Sequence, residues 1–217
     1  MKLKDKYDNI IKWFQQNMAV AESELRYKNP YELLVAVILS AQCTDVRVNM
    51  VTPNFFKKYP NSKLLAKAND EDVFDLIRSI SYPNNKTKHL TAMARMLEND
   101  FGGTVPDNVD DLQKLPGVGR KTANVVASVV YKLPVIAVDT HVFRVAHRIG
   151  LVTPSATTPE KVEMQLEKNI PEKFRAISHH WLILHGRYVC TARSPHCPDC
   201  GIKKYCKYFE LVVSCKS

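Results

Sequence analysis

LPGVGRKTAN, residues 115–124, is the most informative stretch of this sequence. Val109, Leu112 and Leu115, at helical spacing, predict the end of a short helix that leads into this stretch. A second helix is predicted after it, with a buried side formed by Thr122, Ala123, Val126, Ala127 and Val130. Gly117 and Gly119 predict a tight turn whose backbone N–H groups point outward at a helix start, where an anion such as a phosphate is favoured. An ordinary helix–turn–helix corner, with glycines present for steric reasons, is the alternative.

Apolar residues at helical spacing continue over most of the chain. One stripe runs from Tyr7 to Met18, and Asn29 followed by Pro30 predicts the start of a helix that reaches about Ala41. Further stripes predict helices within residues 69–80, 90–101, 139–149, 158–170 and 174–188. Only Val135–Val138 has strand character, and this segment is too short and isolated to support a sheet. The sequence therefore predicts an all-α fold.

The composition is typical of a globular protein, with 217 residues of which 45% are hydrophobic and 24% charged. The longest apolar run, Leu33–Leu39, is much shorter than the roughly 20 residues of a membrane-spanning helix. No apolar stretch follows the charged N-terminus, which argues against a secretory signal, so a cytoplasmic protein is expected. Nothing suggests obligate oligomers, and a monomer is expected. The net charge of +9 is compatible with a polyanionic partner and equally with solubility alone.

Four of the six cysteines lie close together, in the pattern Cys190-x6-Cys197-x2-Cys200-x5-Cys206. Because disulfides are not expected without secretion, this cluster indicates a metal centre. Chemistry alone permits either tetrahedral zinc or a 4Fe-4S cluster. For the remaining two, Cys43 and Cys215, the sequence indicates no function.

Residues 115–124 resemble the helix–hairpin–helix motif of the endonuclease III family of DNA glycosylases. The resemblance extends from about Pro30 to Cys206 and implies a base-excision-repair enzyme that removes a damaged base and then cleaves the abasic site. In this family the lysine after Gly-Val-Gly-Arg is the nucleophile, and Lys121 occupies that position. Its amine would attack C1′ of the damaged nucleotide, expel the base and form a Schiff base, after which β-elimination cuts the strand on the 3′ side.

A second stretch, Val138–Arg144, also resembles a signature of this family. On its own, Asp139 is interpreted as the N-cap of the following helix. The resemblance implies that its carboxylate also stabilises positive charge on the sugar and assists proton transfers. His141 is expected to lie near the DNA, while Arg144 is interpreted either as a neighbour of the DNA or as a plain surface charge.

Base removal from a duplex requires that the nucleotide be rotated out of the stack and the gap filled. Ser40–Asp45 resembles the family loop whose glutamine enters this gap, which implies that role for Gln42. In the family, a second residue acts as a wedge that enters the duplex from the opposite side, and Tyr82 occupies that position. Ser81-Tyr82-Pro83 departs from the family's Gly-Leu-Tyr pattern, which leaves the wedge geometry open. The expected partner is double-stranded damaged DNA, bound by Gln42, Tyr82, Gly117, Gly119, Arg120 and His141.

The cysteine spacing, directly after Trp181–Arg187, resembles the cluster loop of the same family. The resemblance implies that Cys190, Cys197, Cys200 and Cys206 bind a 4Fe-4S cluster. Base removal needs no redox step, so the cluster is expected to shape a basic loop for phosphate contacts that includes Arg187, Arg193, Lys203, Lys204 and Lys207.

Two helical domains with a DNA groove between them are implied by the same resemblance. Residues 23–133 would form a central domain that contains the helix–hairpin–helix at about 109–128. Residues 1–22 and 134–217 would form a discontinuous iron–sulfur domain.

Oxidised pyrimidines such as thymine glycol are the expected substrates, by analogy with the family. The first alternative is an adenine-mismatch glycosylase, a branch that usually lacks the hairpin lysine and carries a further C-terminal domain. Thymine-mismatch and pyrimidine-dimer glycosylases share much of the framework and stay open as alternatives. Outside this class, the alternatives are a non-catalytic DNA-binding module and a zinc-stabilised interaction domain. A binding module has no need for Lys121 and Asp139 together.

Overall fold

The computed structural model describes residues 1–214, and within this part of the chain all regular secondary structure is helical. The predicted all-α fold is confirmed. The α-helices of the described residues are α1 Leu3–Asn17, α2 Pro30–Ser40, α3 Asp45–Lys58, α4 Ser62–Ala66, α5 Asp70–Ile77, α6 Pro83–Asp100, α7 Val109–Lys114, α8 Arg120–Val130, α9 Thr140–Ile149, α10 Pro159–Asn169, α11 Glu172–Tyr188 and α12 Lys207–Ser214. Lys203–Tyr205 form a 3-10 helix. Cys215 lies outside the described residues.

The chain divides into two compact units. The first, called the hairpin unit, is Ser23–Lys132 and contains α2 to α8. The second, called the cysteine unit, comprises Met1–Glu22 and the described residues from Leu133 onward, with α1 and α9 to α12. No helix within residues 1–214 is long and apolar enough to cross a membrane.

The most buried helix of the hairpin unit is α2, which packs against α3, α6 and α8. The predicted start of this helix is confirmed, because the Asn29 side chain accepts a hydrogen bond from the Glu32 N–H at 2.9 Å and Pro30 occupies the first turn. All residues of the apolar run Leu33–Leu39 are buried. A helix that is apolar on every side is stable only where other helices cover it, and α2 meets that condition.

The hairpin unit contains helical segments that the apolar pattern did not predict, among them α4, the first part of α6 and α3. The helix expected at 90–101 begins earlier, at Pro83, since proline fits the first turn of a helix. It ends where Gly102 and Gly103 adopt left-handed φ angles of 59° and 78°. A further helix, α3, begins after Thr44, whose hydroxyl accepts a hydrogen bond from the Arg47 N–H. Its internal Pro53 and polar composition hid it from the sequence pattern.

The core of the cysteine unit joins α1 to the C-terminal half of the chain. The rings of Phe14 and Trp181 stack with their centroids 5.5 Å apart and an interplanar angle of 7°. The indole Nε1 of Trp181 donates a hydrogen bond to the Met18 carbonyl at 2.8 Å. The predicted stripe of α1 is buried from Tyr7 to Phe14, so the first helix contributes directly to this core.

Residues 135–138 form no strand, in agreement with the interpretation that they are too short and isolated for a sheet. Side chains bind their backbone instead. The Ile136 N–H donates to Glu167 Oε1 at 3.1 Å, and Nδ1 of His179 lies 2.7 Å from the Ala137 carbonyl oxygen. These contacts fix the segment that leads into Asp139.

Candidate functional site

The glycine-rich turn joins α7 to α8 as predicted. Gly117 has a φ angle of +80°, a left-handed conformation that L side chains rarely adopt. A Cβ atom added at Gly117 would lie 2.8 Å from the Cβ of His89. The Val118 N–H closes the turn by donating to the Leu115 carbonyl at 3.0 Å. Gly117 is therefore required by both backbone conformation and close packing.

Gly119 has a different structural role. Its φ angle of −83° is accessible to any residue, and an added Cβ would meet nothing within 4 Å. Gly119 is the N-cap of α8, where no side chain caps the helix, and it is exposed. The start of α8 therefore presents backbone N–H groups together with the exposed Arg120 and Lys121. This combination of donors and positive charge suits an anionic ligand.

Lys121 lies in the first turn of α8, and its side chain is exposed. The helix that carries it is anchored by Ala123, Val126 and Ala127, each of which has no exposed surface. The position of the Lys121 backbone is thus fixed by the buried helix, and its exposed amine is accessible to a ligand, as a nucleophile requires.

Asp139 caps α9, which confirms the interpretation made from the sequence. Its Oδ1 atom accepts hydrogen bonds from the backbone N–H groups of His141 and Val142, each at 2.8 Å. The residue is half-buried. Both cap bonds use Oδ1, so the cap fixes the orientation of the whole carboxylate, including Oδ2.

Arg144 is not a plain surface charge, as one interpretation of the sequence had it. Its guanidinium is half-buried and donates to the carbonyls of Gly186 at 2.8 Å and Cys190 at 3.2 Å. It also lies 3.2 Å from Nδ1 of His141. His141 is half-buried as well, and its ring is held by this contact. Arg144 therefore connects α9 to the end of α11 and to the first cysteine.

Gln42 and Tyr82 are both exposed, and both adopt left-handed backbone conformations that are uncommon outside glycine. Gln42 follows α2 with a φ angle of 55°, and Tyr82 precedes α6 with a φ angle of 57°. The Tyr82 side chain is 62% exposed, so a large aromatic ring projects into solvent. Both residues belong to the hairpin unit.

Cys190, Cys197, Cys200 and Cys206 line one cavity of the cysteine unit. His185 also lines this cavity. Burial raises the pKa of the Cys197, Cys200 and Cys206 thiols, and the neighbouring thiols raise it further. These thiols would therefore ionise readily only with a positive charge between them.

Two basic side chains border this cavity. The Arg148 guanidinium lies 3.6 Å from the Cys190 sulfur and donates to the Thr191 carbonyl at 2.7 Å. Nε2 of His185 lies 3.8 Å from the Cys200 sulfur. Burial lowers the pKa of His185 to about 4, so this imidazole is neutral near pH 7. Neither Arg148 nor His185 was predicted from the sequence to border this site. Arg144 and Arg148 are four residues apart on α9, a spacing that places them on one side of the helix.

The donor set of the cysteine cavity suits an iron–sulfur group. Thiolates are the preferred ligands of such clusters, and all four thiols face one space. Among the described residues, no group of three or more Cys, His, Asp or Glu side chains is arranged to hold a metal ion. By donor type, and because they line one cavity, the four cysteines fit an iron–sulfur group.

Comparisons with known proteins agree with this architecture. Residues 35–172 match the family described as HhH-GPD superfamily base excision DNA repair protein. The chain is 44% identical over 209 residues to endonuclease III of Rickettsia felis, which covers 96% of this chain and 97% of that protein. It is 46% identical over 187 residues to endonuclease III of Bacillus subtilis, which covers 86% of this chain and 85% of that protein.

Its structure resembles that of a trapped endonuclease III–DNA covalent intermediate, with a TM-score of 0.92 at 41% sequence identity. This similarity covers 98% of the present chain and 100% of the other. Sequence and structure thus agree over nearly the full length, and the family match includes both the glycine turn and Asp139. The chain belongs to the endonuclease III family of helix–hairpin–helix base excision DNA repair proteins.

Proposed function

We propose that the chain is a bifunctional DNA glycosylase and abasic-site lyase that acts on damaged double-stranded DNA. The observation that carries this proposal is the exposed Lys121 in the first turn of α8, directly after the glycine turn, in a member of the endonuclease III family. The covalent DNA intermediate trapped with a 41% identical endonuclease III supports a mechanism in which the protein reacts covalently with DNA.

Lys121 is the proposed nucleophile. Its neutral Nζ forms a bond to C1′ of the damaged nucleotide while the C1′–base bond breaks, and the base leaves with the electron pair and takes up a proton. Opening of the sugar ring breaks the C1′–O4′ bond and gives a protonated Schiff base between Nζ and C1′. Loss of a proton from C2′ then expels the 3′-phosphate by cleavage of the C3′–O bond. Hydrolysis of the Schiff base releases the lysine.

Asp139 is the proposed carboxylate partner in this reaction. Negative charge at Asp139 stabilises the positive charge that develops on the sugar as the base departs. The same group accepts and returns protons during ring opening and elimination. The helix cap supports this role, since two backbone N–H groups bind Oδ1 and orient the carboxylate.

Three features are proposed to bind and open the duplex. The turn at Gly117 and Gly119, with Arg120, binds a backbone phosphate without reading the base sequence. Gln42 fills the space left by the rotated nucleotide, and Tyr82 stacks between bases as the opposite wedge. The exposure of both side chains supports these roles. His141 is the further proposed DNA contact.

The four cysteines are proposed to bind a 4Fe-4S cluster as thiolates. When bound, the cluster supplies a structural cross-link and positive charge that compensates the thiolates, and base removal uses no electron from it. The chain itself then presents exposed cations around this loop for phosphate contacts: Arg193, Lys203, Lys204 and Lys207. Arg187, at the end of α11, is proposed to contribute as well.

The hairpin unit and the cysteine unit are proposed to be the two functional domains, close to the boundaries 23–133 and 1–22 with 134–217. Oxidised pyrimidines such as thymine glycol are the proposed substrates, by analogy with the family. The protein is proposed to act as a monomer in the cytoplasm, associated with the nucleoid if the source is bacterial.

Borohydride trapping tests the proposed chemistry. Borohydride reduces a Schiff base to a stable amine, so wild-type protein should form a covalent product with a duplex that contains one thymine glycol. Lys121→Gln should form none and still bind the duplex. Lys63→Gln, which removes another exposed lysine of the hairpin unit, serves as the matched control and should trap like wild type.

Each other outcome has a definite meaning. Trapping that persists in Lys121→Gln would move the nucleophile to another residue. Trapping on a preformed abasic site but not on thymine glycol would support the lyase activity and contradict thymine glycol as the substrate. Absence of trapping on both would favour a non-catalytic DNA-binding module. Iron and sulfide analysis tests the cluster separately, and a colourless protein that contains zinc would contradict it.

A further inference from the structure

The two proposed duplex-opening residues share a backbone feature. Within the described residues, only three non-glycine residues have a positive φ angle, and Gln42 and Tyr82 are two of them. Gln42 lies just beyond the last turn of α2, and Tyr82 lies just before the first turn of α6. A left-handed conformation costs an ordinary residue about 1–2 kcal/mol, so both loops need contacts that hold them in place.

One buried lysine makes these contacts. Lys86 is only 5% exposed, which is rare for lysine. Its ammonium donates hydrogen bonds to the carbonyls of Leu39 at 2.8 Å and Ala41 at 2.6 Å. The Ala41 carbonyl belongs to the peptide bond that leads into Gln42, so Lys86 binds the residue directly before Gln42.

The Lys86 contacts complete the C-terminus of α2, where the last carbonyls lack partners within the helix. The Val37 carbonyl accepts from the Ser40 hydroxyl, and the Ser40 carbonyl accepts from the Cys43 N–H. The Lys86 ammonium donates hydrogen bonds to the carbonyls of Leu39 and Ala41. A positive charge at a helix C-terminus is also favoured by the helix dipole. Without Lys86, two carbonyls beside Gln42 would lose their partner, and the loop would relax.

Lys86 is equally connected to the second loop. It lies in the first turn of α6, and its backbone N–H donates to the Tyr82 carbonyl at 3.2 Å. One residue therefore binds the loop of Gln42 through its side chain and the loop of Tyr82 through its backbone. No proposed catalytic or DNA-contacting function has been assigned to it.

We propose that Lys86 is a positioning residue that holds the Gln42 and Tyr82 loops at a fixed separation, so that both side chains enter the duplex together. This inference rests on the proposed function, because it assumes that these two side chains open the duplex. It adds a residue that touches neither the base nor the sugar. Lys86 acts on extrusion of the nucleotide and not on the chemistry at C1′.

An effect on extrusion of the nucleotide can be measured separately from an effect on the chemistry at C1′. Extrusion of a nucleotide is costly when its base is paired and easier when no partner base holds it. Loss of a residue that assists extrusion should therefore slow reaction at a paired lesion and have little effect at an unpaired one. A general loss of fold would slow both reactions equally.

The experiment compares single-turnover excision of thymine glycol in two duplexes, one with adenine opposite the lesion and one with a tetrahydrofuran abasic analogue opposite it. Lys86→Met keeps the length of the side chain and removes the ammonium. We expect about a 10-fold loss or more on the first duplex and at most about 3-fold on the second, since small misplacements of a positioned group have effects of this size. The quantity compared is the ratio of the excision rates on the two duplexes. Lys88→Met, at an exposed position on the same helix, is the matched control and should leave this ratio as in wild type.

A double variant tests whether Lys86 acts through Gln42. If it does, Lys86→Met in a Gln42→Ala background should slow excision by no more than about twofold, because the two effects are not additive. Lys86→Arg keeps the cation and should retain part of the wild-type ratio. Equal losses on both duplexes, or full additivity with Gln42→Ala, would overturn the inference.

The proposal stays testable if Lys86→Met does not fold. Lys86→Gln then replaces it, since its shorter amide cannot reach both carbonyls but keeps a polar group, and an unchanged ratio in that variant contradicts the proposal. Failure of the proposed function is separate, because wild-type protein would then excise the lesion from neither duplex. Wild-type excision with an unchanged Lys86 ratio would reject the positioning role alone.

Discussion

A Cβ atom added at Gly201 would overlap the Trp13 ring at Cζ2. Gly201 lies between Cys200 and Ile202 in the cysteine loop, whereas Trp13 belongs to the first helix of the chain. The Trp13 ring therefore packs directly on the backbone of the segment between α11 and α12, which carries the four proposed ligands. This contact explains why the N-terminal helix is part of the cysteine unit.

Gly201→Ala should lower the free energy of unfolding by about 1–3 kcal/mol, because an atom at this position overlaps the Trp13 ring and forces the loop or the ring to move. Chemical unfolding and iron content of the purified variant measure this effect. In a Trp13→Leu background the same substitution should cost less, since the overlapping ring atoms are gone. An equal cost in both backgrounds would show that the loop does not depend on this contact.

The two glycines of the hairpin should respond differently to alanine. Gly117→Ala requires a left-handed alanine and brings its Cβ to 2.8 Å from His89, so we expect a loss of about 1–3 kcal/mol in stability. Gly119→Ala has an ordinary φ angle and open space, so its stability should stay within about 0.5 kcal/mol of wild type.

Gly119→Ala should weaken DNA binding although it leaves the stability of the protein nearly unchanged. The added methyl group would project toward the approach to the first turn of α8, so binding to a duplex with an abasic analogue should weaken by about 10-fold while the fold is kept. Equilibrium unfolding and binding titrations at one fixed salt concentration provide both measurements. If Gly119→Ala unfolds as easily as Gly117→Ala, both glycines are present for steric reasons, as in an ordinary helix–turn–helix corner.

Local signals in the sequence were sufficient for much of the fold and for part of the site. Asn29 with Pro30 marked the start of α2, and Asp139 marked the start of α9, because caps act over three or four residues. The hairpin was predictable for the same reason, since its turn depends on Gly117, and its helices on an apolar pattern within a single stretch.

Contacts between distant segments could not be predicted in this way. The partners of Lys86 are carbonyls more than forty residues earlier in the chain, with sequence separations of 45 and 47. A plain surface charge was one interpretation of Arg144, because its partners Gly186 and Cys190 lie 42 and 46 residues later in the chain. Backbone carbonyls carry no residue-type signal, so a sequence pattern does not reveal which side chain will bind them.

Removal of one proposed cluster ligand should separate the four clustered cysteines from Cys43. Cys200→Ser should reduce the iron and sulfide content sharply and lower Tm by several °C, because metal binding is coupled to folding and each kcal/mol shifts Tm by about 2–4 °C for a chain of this size. Cys43→Ser, which changes a half-buried thiol outside the cavity, should keep iron, sulfide and Tm close to wild type. Equal iron loss in both variants would contradict the assignment of the ligands.

Asp139 combines a structural and a proposed catalytic role, and two substitutions separate them. Asp139→Asn keeps an oxygen that can accept from the His141 and Val142 N–H groups, so stability should change little, since asparagine and aspartate are comparable N-caps. Excision should nevertheless fall by about 10²–10⁴-fold, because the neutral amide neither stabilises positive charge nor accepts a proton. Asp139→Ala should lose activity and also about 1 kcal/mol of stability. Single-turnover excision and equilibrium unfolding of wild type, Asp139→Asn and Asp139→Ala test this. If Asp139→Asn retains wild-type activity, the only role of Asp139 is to cap α9.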